Sequence, residues 1–300
     1  KEHLGWLTEG AATNVHWYSA DLNTNHVALR STVDTDGTLA PDGSGTDGYL
    51  ETIVSNTHGI FETDTVSAST TYNVSRYLKY RGRAFAIMYM NWNVTGETSQ
   101  VGFNIQTGVV GITTSSVGAS DPTNALIEDV GGGWYRCSYT CIAPVGESSV
   151  NCTVYGSDAD DRVAFVGDVT KGMYVWGQQL TAGGGLSSYI PALGANATRS
   201  ADILTLNPGI SSTKMSLYVE FSYSDGHIGT RAVVTMENGN STPNWELQFT
   251  DNGATTDNWN IIARDDTAQF FSSGNVTITV PATSTTSVKM MFAGENINSN

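Results

Sequence analysis

The sequence predicts an all-β protein built as two consecutive antiparallel β-sandwiches. Residues 71–80 and several other short segments alternate apolar and polar side chains with a period of two, which is the period of a strand with one buried face. Gly, Ser, Thr and Asn, which suit turns, are abundant between these segments, and only 14% of the 300 residues are charged. Residues 172–191 begin as a strand and are then interrupted by Gly183, Gly184, Gly185 and Pro191, an arrangement that no helix tolerates.

The chain is interpreted as three segments. Residues 1–13 form the end of an upstream element, residues 14–200 form the first sandwich, and residues 201–300 form the second. In the first sandwich the alternation predicts strands at 14–19, 27–33, 49–55, 71–80, 85–93, 101–106, 109–113, 125–130, 134–142, 149–155, 163–166 and from residue 172 to the break at Ala182. The segment 85–93 is apolar on both faces, so we expect a central or covered strand there.

A set of short motifs in the first two thirds of the chain resembles the jelly-roll domain of bacteriophage virion proteins. These relatives are head spike, capsid and tail fibre proteins, whose jelly roll is similar to carbohydrate-binding modules. The motifs are Gly172-x-Tyr174-x-Trp176-Gly177-x-Gln179-Leu180, Ser188-Tyr189-Ile190-Pro191, Thr198-Arg199-x-Ala201-Asp202, Gly133-Trp134-Tyr135-Arg136-Cys137-Ser138 and Ala12-Thr13-Asn14 followed by Tyr18-Ser19.

The second set of strands resembles a concanavalin-like or laminin-G-like jelly roll, of the kind that follows the first module in related phage proteins. We predict its strands at 216–223, 231–237, 245–250, 258–264, 269–272, 276–280 and 287–293. In the relatives a further strand follows, whereas this chain stops at Asn300. The resemblance therefore implies two consecutive antiparallel jelly-roll β-sandwiches, and we expect the second to be incomplete at Asn300.

The resemblance also implies which side chains face the first core. In 71–80 it places Arg76 on the inward phase, where a buried cation needs a partner, and Asn73, Ser75, Tyr77 and Lys79 on the outward phase. The residues expected to face the core are Tyr72, Val74, Tyr135, Cys137, Tyr139 and Val175.

The three cysteines are Cys137, Cys141 and Cys152. On one strand Cys137 and Cys141 lie ~13 Å apart, beyond the ~7 Å reach of a disulfide. A hairpin of 134–142 and 149–155 would place Cys141 opposite Cys152 and allow that pair to bond. The favoured interpretation is three small, buried, free core residues, since free cysteine is commonly buried.

The net charge of −15 argues against nucleic acid and anionic membrane surfaces as partners. No run of residues has the length and apolarity of a membrane span, so we expect no membrane insertion. The resemblance implies self-association, most often as a trimer, display on the virion surface outside the cell, contact with other virion proteins, and contact with host-surface glycans.

The search for catalytic residues favours a protein that is not an enzyme. The five histidines do not have the i, i+2 or i, i+4 spacing of a metal motif, and no nucleophile elbow or phosphate-binding glycine loop is present. Carboxylate pairs of the kind that a glycosidase uses fall in runs typical of solvated turns, namely Asp158, Asp160, Asp161, Asp265 and Asp266. No cofactor is expected.

No metal is expected either, although residues 34–48 are predicted to form an oxygen-rich loop with four candidate calcium ligands. Ordinary turn chemistry is the favoured explanation for them, because Asp and Gly are common turn residues; the four are Asp34, Asp36, Asp42 and Asp47. Related carbohydrate-binding modules hold calcium against an Asp near their last strand. This chain has Trp176-Gly177-Gln178 there, so that ligand is missing and only residues 34–48 remain as a candidate calcium site.

Aromatic side chains on the surface are the candidate glycan site. Sugar-binding jelly rolls stack pyranose rings on Trp or Tyr and bind the hydroxyls with neighbouring polar groups. Tyr77 and Lys79, with Trp92 from the next strand, are the candidate ligand-binding residues, while Trp134 and Trp176 are favoured as core residues. The first-choice function is a virion fibre or spike protein. The alternatives are a carbohydrate-binding module pair of a secreted bacterial polysaccharide-degrading enzyme and, ranked last, a jelly-roll glycosidase or lyase.

Overall fold

The computed structural model describes residues 9–202, apart from the side chain of Asp36, and the backbone of seven strands between residues 214 and 295. All regular elements among the described residues are β-strands, and neighbouring strands pair antiparallel. The predicted all-β, antiparallel sandwich class is therefore confirmed. The described part of the chain contains no helix that is long and apolar enough to cross a membrane.

The chain divides into two compact units, and the division falls between Ile203 and Leu204. The strands of the first unit are β1 (Ala12–Asn14), β2 (Val27–Leu29), β3 (Ser31–Leu39), β4 (Gly45–Glu51), β5 (Ser55–Asn56), β6 (His58–Thr65), β7 (Thr71–Arg81), β8 (Phe85–Trp92), β9 (Thr98–Asn104), β10 (Val109–Ser115), β11 (Thr123–Gly131), β12 (Trp134–Ile142), β13 (Ser149–Ser157), β14 (Phe165–Val166), β15 (Gly172–Ala182) and β16 (Ala197–Arg199).

These strands form two main sheets that pack face to face. The 8-stranded sheet has the order β11-β12-β7-β15-β1-β16, with β4 also paired to β15 and β3 paired to β4. The 6-stranded sheet has the order β10-β9-β8-β13-β6-β2. The central strands run β4-β15-β7-β12 in one sheet and β6-β13-β8-β9 in the other, with the chain crossing repeatedly between them. This connection is that of a jelly roll.

The core lies between the two sheets. Trp92 and Met88 from β8 pack in one apolar cluster with Leu78 from β7 and Tyr139 from β12. Five of the six residues predicted to face this core are buried, and Tyr135 is partly buried and packs against it. Arg76 is buried and finds its partner across the sandwich, where its Nη2 donates to the carbonyl of Cys152 at 2.6 Å.

Strand β7 is buried on its other face as well. Asn73 and Ser75 are both buried, although they lie on the outward phase. The segment after β15 covers them, since Thr140 Oγ1 donates to the carbonyl of Gly184 at 2.9 Å and Arg136 donates to the carbonyl of Ser187 at 2.5 Å. The side chains on the inward phase of β7 therefore face the core as predicted. Those on the outward phase form a hydrogen-bonded layer that the segment after β15 covers.

Several local predictions are corrected. Residues 34–48 are not one loop, because β3 and β4 form a hairpin closed by a turn at Ala40–Ser44. Strands β12 and β13 do not form a hairpin; they belong to opposite sheets, because β12 pairs with β7 and β11 while β13 pairs with β6 and β8. Cys141 and Cys152 are accordingly not cross-strand neighbours, and all three cysteines are buried and free.

Residues 9–13, expected to end an upstream element, are part of the first unit. Strand β1 pairs with β15 and β16. Glu9 accepts a hydrogen bond from the backbone N–H of Ser188 at 2.6 Å and lies 3.4 Å from the guanidinium of Arg199.

The second unit contains β17 (Lys214–Tyr223), β18 (Gly229–Met236), β19 (Trp245–Asp251), β20 (Thr256–Arg264), β21 (Gln269–Ser272), β22 (Val276–Thr279) and β23 (Thr286–Glu295). Strand β17 pairs with β23, and β18-β19-β20-β21 form a sheet in which β22 also pairs with β20. Each predicted strand overlaps one of these. The predicted incompleteness at Asn300 lies outside the described residues.

Candidate functional site

The structure separates the three residues predicted to bind a glycan. Trp92 has 0% of its surface exposed and lies in the core, on β8 of the six-stranded sheet. Tyr77 and Lys79 lie on β7 of the other sheet. The prediction that Trp92 is on the surface is therefore wrong. Strand β8 is apolar on both phases, so its sequence alone does not decide which phase faces the core.

Tyr77 packs within an aromatic cluster on the outer side of the eight-stranded sheet. Its ring centroid lies 5.1 Å from that of Trp176 and 6.1 Å from that of Tyr189, and the guanidinium of Arg136 lies 5.3 Å from its centroid. Lys79 reaches toward Trp134, with Nζ 5.8 Å from the ring centroid. The aromatic faces are therefore occupied by protein groups. Trp134 and Trp176, predicted as core residues, are buried at 2% and 5% exposed, but they lie in a small cluster with Ala40 that is separate from the core between the sheets.

The outer side of the six-stranded sheet offers a different surface. Its central strands β9, β8, β13 and β6 place outward-pointing side chains in two rows. One row is Gln100, Tyr89, Thr153 and Phe61, and the next is Thr98, Asn91, Asn151 and Thr63. Neighbouring strands are ~4.8 Å apart, so each row is ~14 Å long. We call these eight residues the Tyr89 face.

Direct hydrogen bonds hold the amides of this face in place. Asn151 Oδ1 accepts from Thr63 Oγ1 at 2.7 Å and from Asn93 Nδ2 at 3.1 Å. Asn91 Nδ2 donates to Asn93 Oδ1 at 3.4 Å. These exposed or half-buried groups form a fixed array of donors and acceptors on a rigid sheet.

Tyr89 is the aromatic centre of the face. It packs edge-on against Tyr155, with ring centroids 5.9 Å apart. The exposed guanidinium of Arg162 lies 4.6 Å from the Tyr89 centroid, and Gln100 Nε2 donates to Asp161 at 2.9 Å. A half-buried ring flanked by amides, hydroxyls and a guanidinium offers both an apolar contact and orienting hydrogen bonds.

Sequence reasoning missed this face, although a signal for it was present. Asn91, Asn151 and Thr63 each alternate with buried neighbours, as β13 shows with Val150 and Cys152 on either side of Asn151. Such polar residues on the outward phase of central strands mark an uncovered sheet surface.

The turn carboxylates are held by the protein. Asp158 forms an ion pair with Arg83, Asp160 accepts from the backbone N–H of Ile112 at 2.9 Å, and Asp161 accepts from Gln100. Asp265 and Asp266 lie outside the described residues.

The candidate calcium ligands also have individual partners. Asp34 pairs with Arg81 at 2.6 Å, Asp42 accepts from the backbone N–H of Ser44 at 2.9 Å, and Asp47 accepts from that of Leu22 at 2.9 Å. The side chain of Asp36 is not described. The three described carboxylates thus fit their predicted role in local structure better than a shared ion.

A second polar cluster is buried at one edge of the sandwich. His16 Nδ1 lies 2.8 Å from Asp64 Oδ2, and His16 Nε2 lies 3.0 Å from Glu62 Oε2. Burial lowers the pKa of His16, but the charges of Asp64 and Glu62 and their hydrogen bonds outweigh burial and raise it to about 9.

His26 lies beside His16 and Glu62, and its pKa shifts in the opposite direction. Burial and the charge of His16 lower its pKa to about 4. Among the described residues, His16, His26 and Glu62 are the group whose ligand atoms come close enough together to hold a metal ion, with separations within 4.8 Å. No spacing pattern in the sequence marks this cluster, because its members come from separate segments.

Comparisons with known proteins identify no family. No family model matches the chain, and no curated protein matches it. One structural neighbour is endo-1,4-β-D-xylanase 10B of Clostridium thermocellum, in a structure of its CBM22-1 and GH10 modules with xylohexaose, at 13% identity and a TM-score of 0.31 over 57% of this chain and 27% of that chain. Another is the tripod from the baseplate of bacteriophage Tuc2009, at 10% identity and a TM-score of 0.21 over 85% of this chain and 99% of that chain. Both TM-scores are low.

Proposed function

We propose that this chain is a structural protein of a virion fibre or spike that binds host-surface glycans through the Tyr89 face without cleaving them. The observation that carries the binding proposal is the pair of side-chain rows on the outer side of the six-stranded sheet. A rigid sheet holds those side chains in place, so little conformational freedom is lost when a ligand binds.

The chemistry of the face suits a sugar chain. The part of the half-buried Tyr89 ring that Arg162 leaves open offers an apolar surface to the C–H face of a pyranose, and the amides of Asn91, Asn151 and Gln100 match hydroxyl groups as donors and acceptors. The rows themselves contain only uncharged side chains, with Arg162 and Asp161 beside them. An uncharged polysaccharide is therefore the preferred ligand class, and the net charge of −15 disfavours polyanionic ones.

The virion setting is supported by the motifs between Gly172 and Asp202, which resemble those of phage fibre proteins. The same motifs imply self-association, most often as a trimer, and contact with other virion proteins. A carbohydrate-binding module pair of a secreted polysaccharide-degrading enzyme would use the same face. The complete reading frame distinguishes the two settings, since one carries a virion-anchoring segment and the other a catalytic domain.

The absence of cleavage is part of the proposal. A glycosidase needs two carboxyl groups directed at one bond. Near the Tyr89 face, Asp160 and Asp161 are each engaged by donors of the protein itself. Their arrangement suits the anchoring of a loop over the sheet edge.

Each site is expected to bind weakly. One stacked ring contributes about 1–3 kcal/mol if base–aromatic stacking is a guide, which alone gives a short-lived contact. Copies of the chain in an oligomer on one particle raise the effective concentration at a polysaccharide surface, and avidity then supplies the attachment.

The test is a bacterial glycan array probed with the full chain, followed by affinity electrophoresis in gels that contain the neutral polysaccharides it selects. Tyr89→Ala and Asn91→Ala are expected to abolish the retardation seen with the unaltered protein. Tyr80→Ala is the matched control, because Tyr80 is an exposed tyrosine of the other sheet, 43% exposed on β7.

Thermal unfolding of each variant shows whether it is folded. If glycan binding survives Tyr89→Ala and Asn91→Ala but is lost in Tyr77→Ala, the glycan site lies at the aromatic cluster around Tyr77 instead. No binding to any glycan would make the protein a spacing element of the particle instead. Release of reducing ends from a bound polysaccharide would contradict the non-enzymatic proposal.

A further inference from the structure

The histidine cluster combines side chains from four separated segments. His16 follows β1, His26 precedes β2, Glu62 lies on β6, and Gln178 lies on β15. The side chains of His16, His26 and Glu62 are inaccessible or nearly so, and Gln178 is fully buried. Strands β6 and β15 belong to opposite sheets, so the cluster joins the two layers of the sandwich.

A bulge in β15 is what turns Gln178 toward the cluster. The pairing of β15 with β7 shifts register between Trp176 and Gln179. Met173 and Val175 face the core before the bulge, and Leu180 faces it afterwards. Gln178 therefore shares the inward phase with Leu180, whereas the preceding alternation alone would have turned it outward.

The orientation of both imidazole rings is set by acceptors on their Nδ1 atoms. His26 Nδ1 lies 3.0 Å from the carbonyl oxygen of Thr24, and because a carbonyl only accepts, this nitrogen carries a proton. His16 Nδ1 lies 2.8 Å from the carboxylate of Asp64. Histidine ligands of metals are oriented in this way, with one ring N–H donated to a carboxylate or backbone carbonyl and the other nitrogen free to bind the ion.

The two Nε2 atoms converge on one carboxylate oxygen. Glu62 Oε2 lies 3.0 Å from His16 Nε2 and 3.4 Å from His26 Nε2. Metal–ligand distances of about 2.0–2.1 Å in a tetrahedral zinc site place neighbouring ligand atoms ~3.3 Å apart. The two separations from Glu62 Oε2 match that edge length, and the ligand atoms of all three residues lie within 4.8 Å of one another.

Gln178 Oε1 is buried and makes no hydrogen bond within the described part of the chain, while His16 Nε2 and Glu62 Oε2 face each other at 3.0 Å and have no further hydrogen-bond partner there. Buried polar atoms are otherwise almost always paired. The amide of Gln178 lies beside His26, with its nitrogen 2.6 Å from His26 Nε2. Amide orientation is an assignment, and the reversed orientation brings Oε1 to the same place.

We propose that His16, His26 and Glu62 bind a structural Zn²⁺ ion, with Gln178 Oε1 as the fourth ligand and Asp64 holding His16 in position. Two imidazole nitrogens and a carboxylate are a ligand set that suits zinc, whereas calcium takes oxygen ligands. Binding replaces the proton shared between His16 Nε2 and Glu62 Oε2 with the ion. The ion would join β6 to β15 and to the segments that flank β1 and β2.

The test uses the full chain purified without a histidine tag and freed of metal with a chelator. Calorimetric titration with Zn²⁺ is expected to give one ion per chain, and Zn²⁺ is expected to raise the melting temperature, because an ion that binds only the folded state stabilises it. Co²⁺ is expected to give the visible absorption of a tetrahedral site, and Ca²⁺ is expected not to compete.

His26→Gln is the diagnostic variant, because it removes one ligand and leaves the contacts of His16 with Glu62 and Asp64 in place. It is expected to weaken Zn²⁺ binding at least about tenfold. His58→Gln is the control, since His58 is a buried histidine of β6 whose Nδ1 contacts the carbonyl of Arg30 at 2.7 Å, away from the cluster.

Two results would overturn the proposal. The first is an unaltered protein that binds no Zn²⁺, which would make the cluster an ion pair between protonated His16 and its two carboxylates. The second is Zn²⁺ binding of equal strength in His26→Gln and the unaltered protein, which would place the ion elsewhere. Melting temperatures measured without metal show whether each variant is folded, so the wild-type titration stands even if a variant does not fold.

Discussion

The guanidinium of Arg83 and the carboxylate of Glu51 form a buried two-point ion pair, with Nε–Oε1 and Nη2–Oε2 both at 2.6 Å. The pair joins β4 to the segment between β7 and β8. Glu51 Oε2 also accepts the backbone N–H of Asp168 at 2.9 Å, and the Arg83 guanidinium stacks 4.3 Å from the ring centroid of Phe165. One ion pair therefore fixes four segments at this end of the sandwich.

Glu51→Gln is expected to destabilise the fold by about 3–5 kcal/mol, because it removes the buried counter-charge of Arg83 and leaves only the exposed carboxylate of Asp158 to pair with it. Urea unfolding measures the change. Asp34→Asn is the matched control: it breaks the pair between Asp34 and Arg81, which is partly exposed, and is expected to cost at most about 1 kcal/mol. Similar losses in the two variants would show that burial does not distinguish these ion pairs.

Glu147 gives the fold an acid-sensitive contact. Its carboxylate accepts backbone N–H groups of Val94, Thr95, Ser148 and Ser149 at 3.1, 3.2, 2.9 and 3.0 Å. Burial opposes ionisation of the carboxyl, but these four donors outweigh it and hold its pKa below the usual value.

A lowered pKa in the folded state means that this stabilisation is present above the unfolded pKa of about 4.3 and is lost as the pH falls through the folded one. The stability difference between the unaltered protein and Glu147→Gln should therefore shrink from about pH 6 to about pH 3. Glu128→Gln, an exposed substitution on β11, is expected to leave the profile unchanged. A constant difference across this range would show that the charge of Glu147 has no part in its contacts.

Gly177 is required by the bulge in β15. It has a φ of 61°, and a Cβ there would lie 2.6 Å from Cδ2 of Tyr77. Gly43 has a φ of 87° but no atom within 4 Å of its Cβ position. A substitution at Gly43 therefore measures the cost of backbone strain alone, without a steric clash.

Gly43→Ala is expected to cost ~1–2 kcal/mol. Gly177→Ala is expected to cost a further ~1–3 kcal/mol, because the new methyl group displaces Tyr77. Chemical denaturation of both variants makes the comparison. Equal losses would mean that Tyr77 moves aside freely, and the aromatic cluster would then be less rigid than its ring contacts indicate.

The sequence predicted the fold best where the alternation was clean. Strand β7 is the clearest case, because polar residues separate Tyr72, Val74 and Leu78. This pattern shows directly which side chains of the strand face the core. Strand β6 was missed because its inward phase carries Glu62 and Asp64, which indicate a solvated segment in isolation. Their partner His16 lies more than forty residues away, and no local pattern reports a contact of that kind.

The candidate site was harder to predict than the fold because it, too, depends on contacts between residues that are far apart in the sequence. The phase of β8 depends on which side the second sheet covers, and Trp92 and Tyr89 both suit either side by hydrophobicity alone. The Tyr89 face exists because β9, β13 and β6 bring Gln100, Asn151 and Thr63 beside β8. Those pairings are fixed by the crossovers of the jelly roll, which a period-two pattern does not encode.

Cys137, Cys141 and Cys152 are expected to be unreactive in the folded protein. All three are buried and free. Burial raises the pKa of each thiol, to about 12 for Cys141, and the thiolate is the reactive form. Cys141 instead packs its Sγ 3.3 Å from the sulfur of Met90, as a small apolar group would.

An aromatic disulfide reagent that reports thiols by colour should therefore detect none of the three in native protein and all three in denaturant without reductant. Thr123→Cys, which adds an exposed thiol on β11, is the positive control and should react at once in the native state. Rapid reaction of a native cysteine in the unaltered protein would mean that the core opens readily. Detection of only one thiol after unfolding would mean that two cysteines are bonded. Such a bond would contradict the free state of all three cysteines in the structure.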